Sequence, residues 1–125
     1  MATFQVELKR VVDDSYPIEI GFDLMDHLVE DMKNGLLGGK QKLAVIEVEK
    51  RYAEPIAQKL EEAGFMVNIF HFPAGEKSKT RQTKEMVEDA MLAKGYRRDC
   101  GIIAVGGGVV TDLAGFVAGT YGRGV

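Results

Sequence analysis

The sequence predicts an α/β fold: a mostly parallel sheet flanked by helices and preceded by an N-terminal β-hairpin. Three observations carry this. Short apolar runs rich in Val and Ile recur along the chain, as in Leu43-Ala44-Val45-Ile46 and Ile102-Ile103-Ala104-Val105. Between such runs lie stretches of about ten to sixteen residues with helical apolar spacing, the pattern of βαβ units. The last run opens into Gly106-Gly107-Gly108 at the head of a further helical stretch.

Taken in order, Phe4, Val6 and Leu8 alternate with polar residues and lead into Val11 and Val12, as in an edge strand with one wet face. Asp13-Asp14-Ser15 is a turn cluster and Tyr16-Pro17-Ile18-Glu19-Ile20 a second short strand, which together predict the hairpin. Gly21 ends it. Leu24, Met25, Leu28, Val29 and Met32 recur at helical spacing, and Asn34-Gly35 is a stop signal. Leu43-Ala44-Val45-Ile46 reads as a buried strand. Residues 52–63 read as a helix turning Tyr52, Ile56, Leu60 and Ala63 to the sheet, with Gly64 as its C-cap. Pro55 falls in its first turns, where a missing N–H costs least. Residues 65–70 read as the next strand and 73–79 as a loop. Ser78 is the expected N-cap of a helix reaching about Lys94. Residues 95–99 connect it to the strand at 102–105, and the last helix is expected over 113–121.

The 125 residues read as one domain, without internal repeat, linker or low-complexity segment. With 46% hydrophobic and 28% charged residues, the chain can bury a core and remain soluble. A net charge of −3 gives no electrostatic reason to expect nucleic acid or an anionic membrane as partner. The single cysteine, Cys100, excludes an internal disulfide framework. It opens an apolar strand with no base beside it and reads as a buried structural thiol. No basic and apolar leader opens the chain, and no apolar run approaches membrane-spanning length, so a cytoplasmic location is expected. His27 and His71 show no partner at metal-ligand spacing and read as solvated or core-edge histidines. The chain stops at Arg123-Gly124-Val125, directly after a helix that leads toward another strand; the expectation is a domain, 1–125, taken from a longer protein.

The chemistry concentrates at Gly106-Gly107-Gly108-Val109-Val110-Thr111-Asp112. A strand, a glycine turn and a helix start make a seat for an anion. Glycines let the backbone approach a ligand without a Cβ clash, and the first helical N–H groups are unpaired at the positive end of the dipole. Phosphate or pyrophosphate is the usual occupant. The spacing is not Gly-x-Gly-x-x-Gly, so the ordinary dinucleotide fingerprint is absent. Asp112 has two readings: a helix-dipole acid worth well under ~1 kcal/mol at a surface, or an acceptor for a sugar hydroxyl beyond the phosphate. Gly115 and Gly119, with Ala114 and Ala118, read as packing. Glu76 and Lys79 lie on a loop after a strand, where α/β proteins bind ligands, though a lone charged loop is more often merely solvated. Glu47 and Glu49 end a strand at the place where an acid reads an adenosine ribose in dinucleotide folds. Arg123 by itself is a surface cation.

Four segments, in order, resemble the N-terminal domain of 3-dehydroquinate synthase. They are Tyr16-Pro17-Ile18-Glu19-Ile20-Gly21, Pro73-Ala74-Gly75-Glu76-Lys77-Ser78-Lys79, Gly95-Tyr96-Arg97-Arg98-Asp99, and Gly106 through Phe116 continuing to Tyr121-Gly122-Arg123-Gly124. The resemblance covers essentially the whole chain. It implies a Rossmann-like fold and NAD as cofactor. Gly75, Glu76, Lys79, Gly106, Gly107, Gly108, Val109 and Asp112 would line the NAD site. The ribose-reading acid would fall to Glu47, joined by Glu49; the family usually has Asp or Asn at the first of these positions. Arg123 would reach the substrate phosphate of the neighbouring subunit in a homodimer. The family usually has glycine where this chain has Thr111, which raises the question of positive φ or close cofactor approach there.

The resemblance further implies that the whole enzyme converts 3-deoxy-D-arabino-heptulosonate 7-phosphate to 3-dehydroquinate and phosphate in the shikimate pathway. Its divalent metal (Zn or Co) would be held by a C-terminal helical domain that this sequence lacks. No catalytic or metal-ligating residue is therefore expected here, and the chain alone should be inactive. Two alternatives stand beside this one. A related sugar-phosphate cyclase, or a polyol or iron-type alcohol dehydrogenase, would keep the fold and change the chemistry; the Gly-Glu-x-x-Lys loop speaks against the dehydrogenases. A non-catalytic nucleotide-binding module is the other.

Overall fold

β1 (Lys42–Glu47) forms the centre of the sheet because its apolar run can be buried on both faces; Leu43, Ala44, Val45 and Ile46 are wholly buried. In the computed structural model, which describes residues 1–48 and 50–125 with the side chains of Lys50 and Arg51 aside, two further strands flank it. β2 (Met66–His71) and β3 (Gly101–Val105) pair with β1 in parallel, in the order β2-β1-β3. The register sets Glu47 opposite His71 on one side and Val105 on the other.

Alternation along β1 divides the core in two. Leu43 and Val45 pack with Val29 and Met32 of α1 (Met25–Lys33) and with Ala53, Ala57 and Leu60 of α2 (Lys50–Glu62). Ala44 and Ile46 pack with Val87 and Met91 of α3 (Arg81–Ala93) and with Val110, Leu113 and Val117 of α4 (Gly108–Thr120). The outcome is the Rossmann-like α/β/α layering that the sequence predicts, with a sheet that is wholly parallel.

Three expectations need correction. The N-terminal hairpin is not formed: residues 1–22 carry no helix or strand, and Phe4, Val6, Leu8, Ile18 and Ile20 are exposed. An isolated two-stranded hairpin is marginal in water, and neither run pairs with the sheet edges at β2 or β3 that would support it. Helix α2 starts at Lys50, so Pro55 lies inside it; Ala53, Ala57 and Leu60 are buried in its sheet-facing stripe, with Ile56 and Ala63 half-buried beside them, while Tyr52 is 51% exposed. Small side chains at that stripe let α2 sit close to the sheet. Helix α3 is capped by Thr80, whose extended backbone (φ −136°) lets Oγ1 accept from the Thr83 N–H at 3.1 Å. Ser78 is instead buried in a single 3₁₀ turn (Glu76–Ser78), its hydroxyl donating to the Pro73 carbonyl.

Tyr96 ties the layers together. Its hydroxyl donates to the Leu43 carbonyl at 2.7 Å, with Asn68 Oδ1 at 3.1 Å, and its own carbonyl accepts from the Tyr121 hydroxyl at 2.7 Å. Burial pushes its phenol up to about 12. Burial also raises the Cys100 thiol, which is consistent with an inert structural cysteine. Tyr96→Phe is expected to cost about 1–3 kcal/mol by loss of a buried hydrogen bond. The pH effect has a definite sign: the unfolded chain ionises Tyr96 first, near its ordinary value of 10.0. The stability held by the neutral phenol is therefore complete below that value and is lost as pH rises toward about 12. Urea unfolding on either side of that window should show a shallower alkaline decline in the phenylalanine variant.

Candidate functional site at the strand ends

The topology sets the site. The chain runs from β1 through α2 to β2, then crosses back by α3 to β3 on the far side of β1. The C-terminal ends of β1 and β3 therefore flank the point where the winding reverses, the place where open α/β sheets bind ligands. The glycine turn stands at the end of β3, Glu47 at the end of β1, and the 73–79 loop after β2.

The three glycines do different work. Gly106 has φ +148°, and a Cβ there would meet Val110 Cγ2 at 2.6 Å, so this position turns the chain out of the sheet. Gly107 is the N-cap of α4, with an extended backbone, and Gly108 is the first helical residue. A Cβ at either would meet nothing within 4 Å, which leaves an open lip at the helix head. The first bond back into the turn is Thr111 N–H to the Gly107 carbonyl at 3.1 Å, so the amides of Gly108, Val109 and Val110 precede it at the positive end of the helix. The helix thus begins at Gly108, five residues earlier than its apolar pattern suggests. Thr111 consequently has an ordinary helical backbone, with Oγ1 within 3.3 Å of the Gly107 and Gly108 carbonyls, and carries no positive-φ strain.

Glu76, Lys79 and Asp112, read separately from the sequence, come together. Lys79 Nζ lies 2.8 Å from Asp112 Oδ2 and 3.8 Å from Glu76 Oε2. The Asp112 hydrogen bond, then the Asp112 and Glu76 charges, hold the Lys79 ammonium above the ordinary lysine range. Asp112 is thereby drawn to the loop rather than left as an isolated dipole acid. Beside the pair is a cavity of about 210 Å³ lined by Lys79, Thr80, Arg81, Asp112, Leu113 and Phe116. The positively curved Gly75 (φ +103°) leads into the loop's 3₁₀ turn.

Glu47 is turned inward. It is 1% exposed; its Oε2 accepts from the Ala53 N–H at 3.0 Å, and its Oε1 lies 3.2 Å from His71 Nε2. Glu49 lies outside the described residues. Arg123 is exposed, in the left-handed region (φ +69°), and lies within a turn pinned by Gly124 N–H to the Tyr121 carbonyl at 2.9 Å and Val125 N–H to the Ala118 carbonyl at 2.8 Å.

Sequence reasoning missed His71 as the neighbour of Glu47. The parallel register was the signal, but it is invisible before the strand order is known. It also missed Thr80, Arg81 and Phe116 beside the Lys79–Asp112 pair, which only the packing of α3 against α4 brings there. Away from this edge, His27 is not solitary: its Nε2 lies 2.8 Å from Glu19 Oε1 and 3.5 Å from Asp31 Oδ2. Among the described residues, no helix is long and apolar enough to cross a membrane.

Comparison with known proteins agrees with these features. The family model of the 3-dehydroquinate synthase N-terminal region matches residues 69–125. The 3-dehydroquinate synthase of Desulforamulus reducens is 40% identical over 126 residues, 100% of this chain and 34% of that protein. That of Idiomarina loihiensis is 42% identical over 114 residues, 89% of this chain and 30% of its own length. The chain spans about a third of the length of the curated relatives it matches. Among solved structures, 2-deoxy-scyllo-inosose synthase complexed with carbaglucose-6-phosphate, NAD+ and Co2+ superposes with a TM-score of 0.68 at 27% identity, over 79% of this chain and 28% of that one. The 2-epi-5-epi-valiolone synthase of Streptomyces hygroscopicus, with NAD+ and Zn2+ bound, gives 0.67 at 28% identity over 94% of this chain and 32% of that one. In sequence and in fold, the chain is akin to the N-terminal domain of the 3-dehydroquinate synthases and to the sugar-phosphate cyclases that share its architecture.

Proposed function

We propose that this chain is the NAD-binding domain of a 3-dehydroquinate synthase, a phosphate-eliminating lyase and cyclase of aromatic amino acid biosynthesis. The observation that carries the proposal is the open lip of Gly107 and Gly108 at the head of α4, beside the Lys79–Asp112 pair. A cradle that a Cβ would fill, with unpaired amides behind it, fits a pyrophosphate. The amides of Gly108 and Val109 would hold the diphosphate. Asp112 and Glu76 would accept from ribose hydroxyls, and Lys79 would offset the phosphate charge. Glu47 (or Glu49) would serve the adenosine ribose; Glu47 does so only after leaving His71 and the Ala53 amide. When bound, NAD supplies a hydride acceptor for a secondary alcohol. The residues of this chain bind and orient it.

A divalent metal belongs to the proposal for the whole enzyme, but the strand-end residues do not fit one. Among the described residues the one three-donor cluster is Glu19, His27 and Asp31, none of which lies on the lip. The metal, the catalytic groups and most of the substrate site are accordingly assigned to the remainder of a protein of the relatives' length, in the cytoplasm. Arg123 is proposed to reach the substrate phosphate of a homodimer partner. A related sugar-phosphate cyclase is the second reading, favoured by the solved structures; the curated relatives favour 3-dehydroquinate synthase.

The test is an NAD+ titration followed by backbone amide resonances. Millimolar NAD+ should shift Gly107, Gly108 and Val109, with an affinity weaker than submicromolar because half the contacts are missing. Asp112→Asn should weaken binding about tenfold or more, since a charge-assisted hydrogen bond is worth ~1.5–3 kcal/mol. Its effect on stability should stay below about 1 kcal/mol, as befits an exposed pair. No perturbation at the lip would refute the reading.

A further inference from the structure

Independently of the dinucleotide site, the geometry beside α1 points to a metal site: we propose that Glu19, His27 and Asp31 bind one transition-metal ion of the Zn2+ type and so clamp the N-terminal segment to the helix. His27 and Asp31 are four residues apart on α1 and share a face. Glu19 comes from residues 1–22, which have no secondary structure of their own. The donor atoms of all three lie within 4.8 Å of one another. His27 Nε2 is 2.8 Å from Glu19 Oε1 and 3.5 Å from Asp31 Oδ2. Tetrahedral zinc with bonds of about 2.0–2.1 Å needs donor separations of about 3.3–3.4 Å. The two distances from His27 lie on either side of that value, and the two carboxylates are within 4.8 Å of each other.

The donor set selects the ion. One imidazole and two carboxylates suit zinc and its neighbours, whereas Ca2+ takes six to eight oxygens and Mg2+ keeps most of its water. Glu19 and Asp31 also border a cavity of about 490 Å³ with Tyr16, Leu24 and Leu28 in its wall. That space leaves room for water at the fourth position. A metal would fix a segment whose apolar residues Phe4, Val6, Leu8, Ile18 and Ile20 are exposed, and closing the short loop from Glu19 to His27 costs little chain entropy. The competing arrangement is an ion triad around a protonated imidazole, and the two differ in what they bind.

The test is titration of the untagged chain with Zn2+ against a chromophoric chelator, with Ca2+ and Mg2+ as controls. One equivalent of Zn2+ should bind, and neither control should compete. His27→Asn should weaken binding by more than about 100-fold, beyond what losing an outer-shell partner costs, and Glu19→Gln by at least about tenfold. All three side chains are on the surface, so circular dichroism should show an unchanged fold. Zn2+ should also slow chymotryptic cleavage after Phe22, which is exposed inside the loop between Glu19 and His27, and should not do so in Glu19→Gln. Equal binding of Zn2+ and Ca2+ would reduce the cluster to an acidic patch. Affinity in His27→Asn within about threefold of the parent, or unchanged protection of Phe22 in Glu19→Gln, would overturn the proposal.

Discussion

Gly106→Ala is expected to destabilise the chain by about 2–6 kcal/mol, read as a lower urea midpoint at unchanged slope. Two costs add. The residue sits at φ +148°, which L-residues rarely adopt, and holding one there costs about 1–3 kcal/mol. The new methyl would also lie 2.6 Å from Val110 Cγ2 and 3.1 Å from Val110 Cβ. Val110 is 2% exposed and packed in the α3–α4 core, so it cannot swing away without disturbing Leu113 and Val117. Overpacking of this kind costs about 1–3 kcal/mol. Adding Val110→Ala should recover the clash and not the backbone strain. The double variant should thus be more stable than the two single losses predict, a coupling measurable by a thermodynamic cycle. A Gly106→Ala protein as stable as the parent would mean that the turn out of β3 has another geometry.

The sequence disclosed what depends on local pattern. Continuous apolar runs at 43–46 and 102–105 read as buried strands; both are strands, but only 43–46 is wholly buried, while 102–105, in the edge strand β3, is half-buried. Periodicity found α1 and its stop at Asn34 because amphipathic spacing and a C-cap signal coincide there. It misplaced the start of α4, since Gly108, Val109 and Val110 have no amphipathic contrast and the helix begins for reasons of turn geometry. It favoured Ser78 over Thr80 as a cap because both are short hydroxyl residues. What decides between them is which one lies in an extended backbone, and Ser78 is consumed by Pro73. The hairpin failed because alternation specifies a face but not a partner. The site divided along the same line. Gly106, Gly107 and Gly108 were legible as a local motif, and so was the loop with Glu76 and Lys79. The Lys79–Asp112 bridge, spanning 33 residues, and the Glu47–His71 pair exist only through strand order and register. Glu47 shows the limit most clearly: its strand-end position was legible, but its inward turn toward Ala53 and His71 was not.

Gly107→Val separates the ligand's requirement for glycine from the fold's. The Gly107 backbone is extended (φ −87°, ψ −159°), within reach of an L-residue, and a Cβ there meets nothing within 4 Å. Stability should change by less than about 1 kcal/mol, the order of an N-cap change from glycine to an aliphatic residue. Dinucleotide binding should nonetheless fall about 100-fold or more. An isopropyl group on the lip would keep a diphosphate from the amides of Gly108 and Val109. Losing two charge-assisted hydrogen bonds of ~1.5–3 kcal/mol each removes at least ~3 kcal/mol. Isothermal titration with NAD+ gives the affinity, and thermal unfolding of the same protein without ligand gives the stability. The contrast with Gly106 is the informative part, because adjacent glycines should fail in opposite assays. If Gly107→Val binds NAD+ as the parent does, the diphosphate does not rest on the head of α4, and the open lip serves only to let the chain turn from sheet to helix.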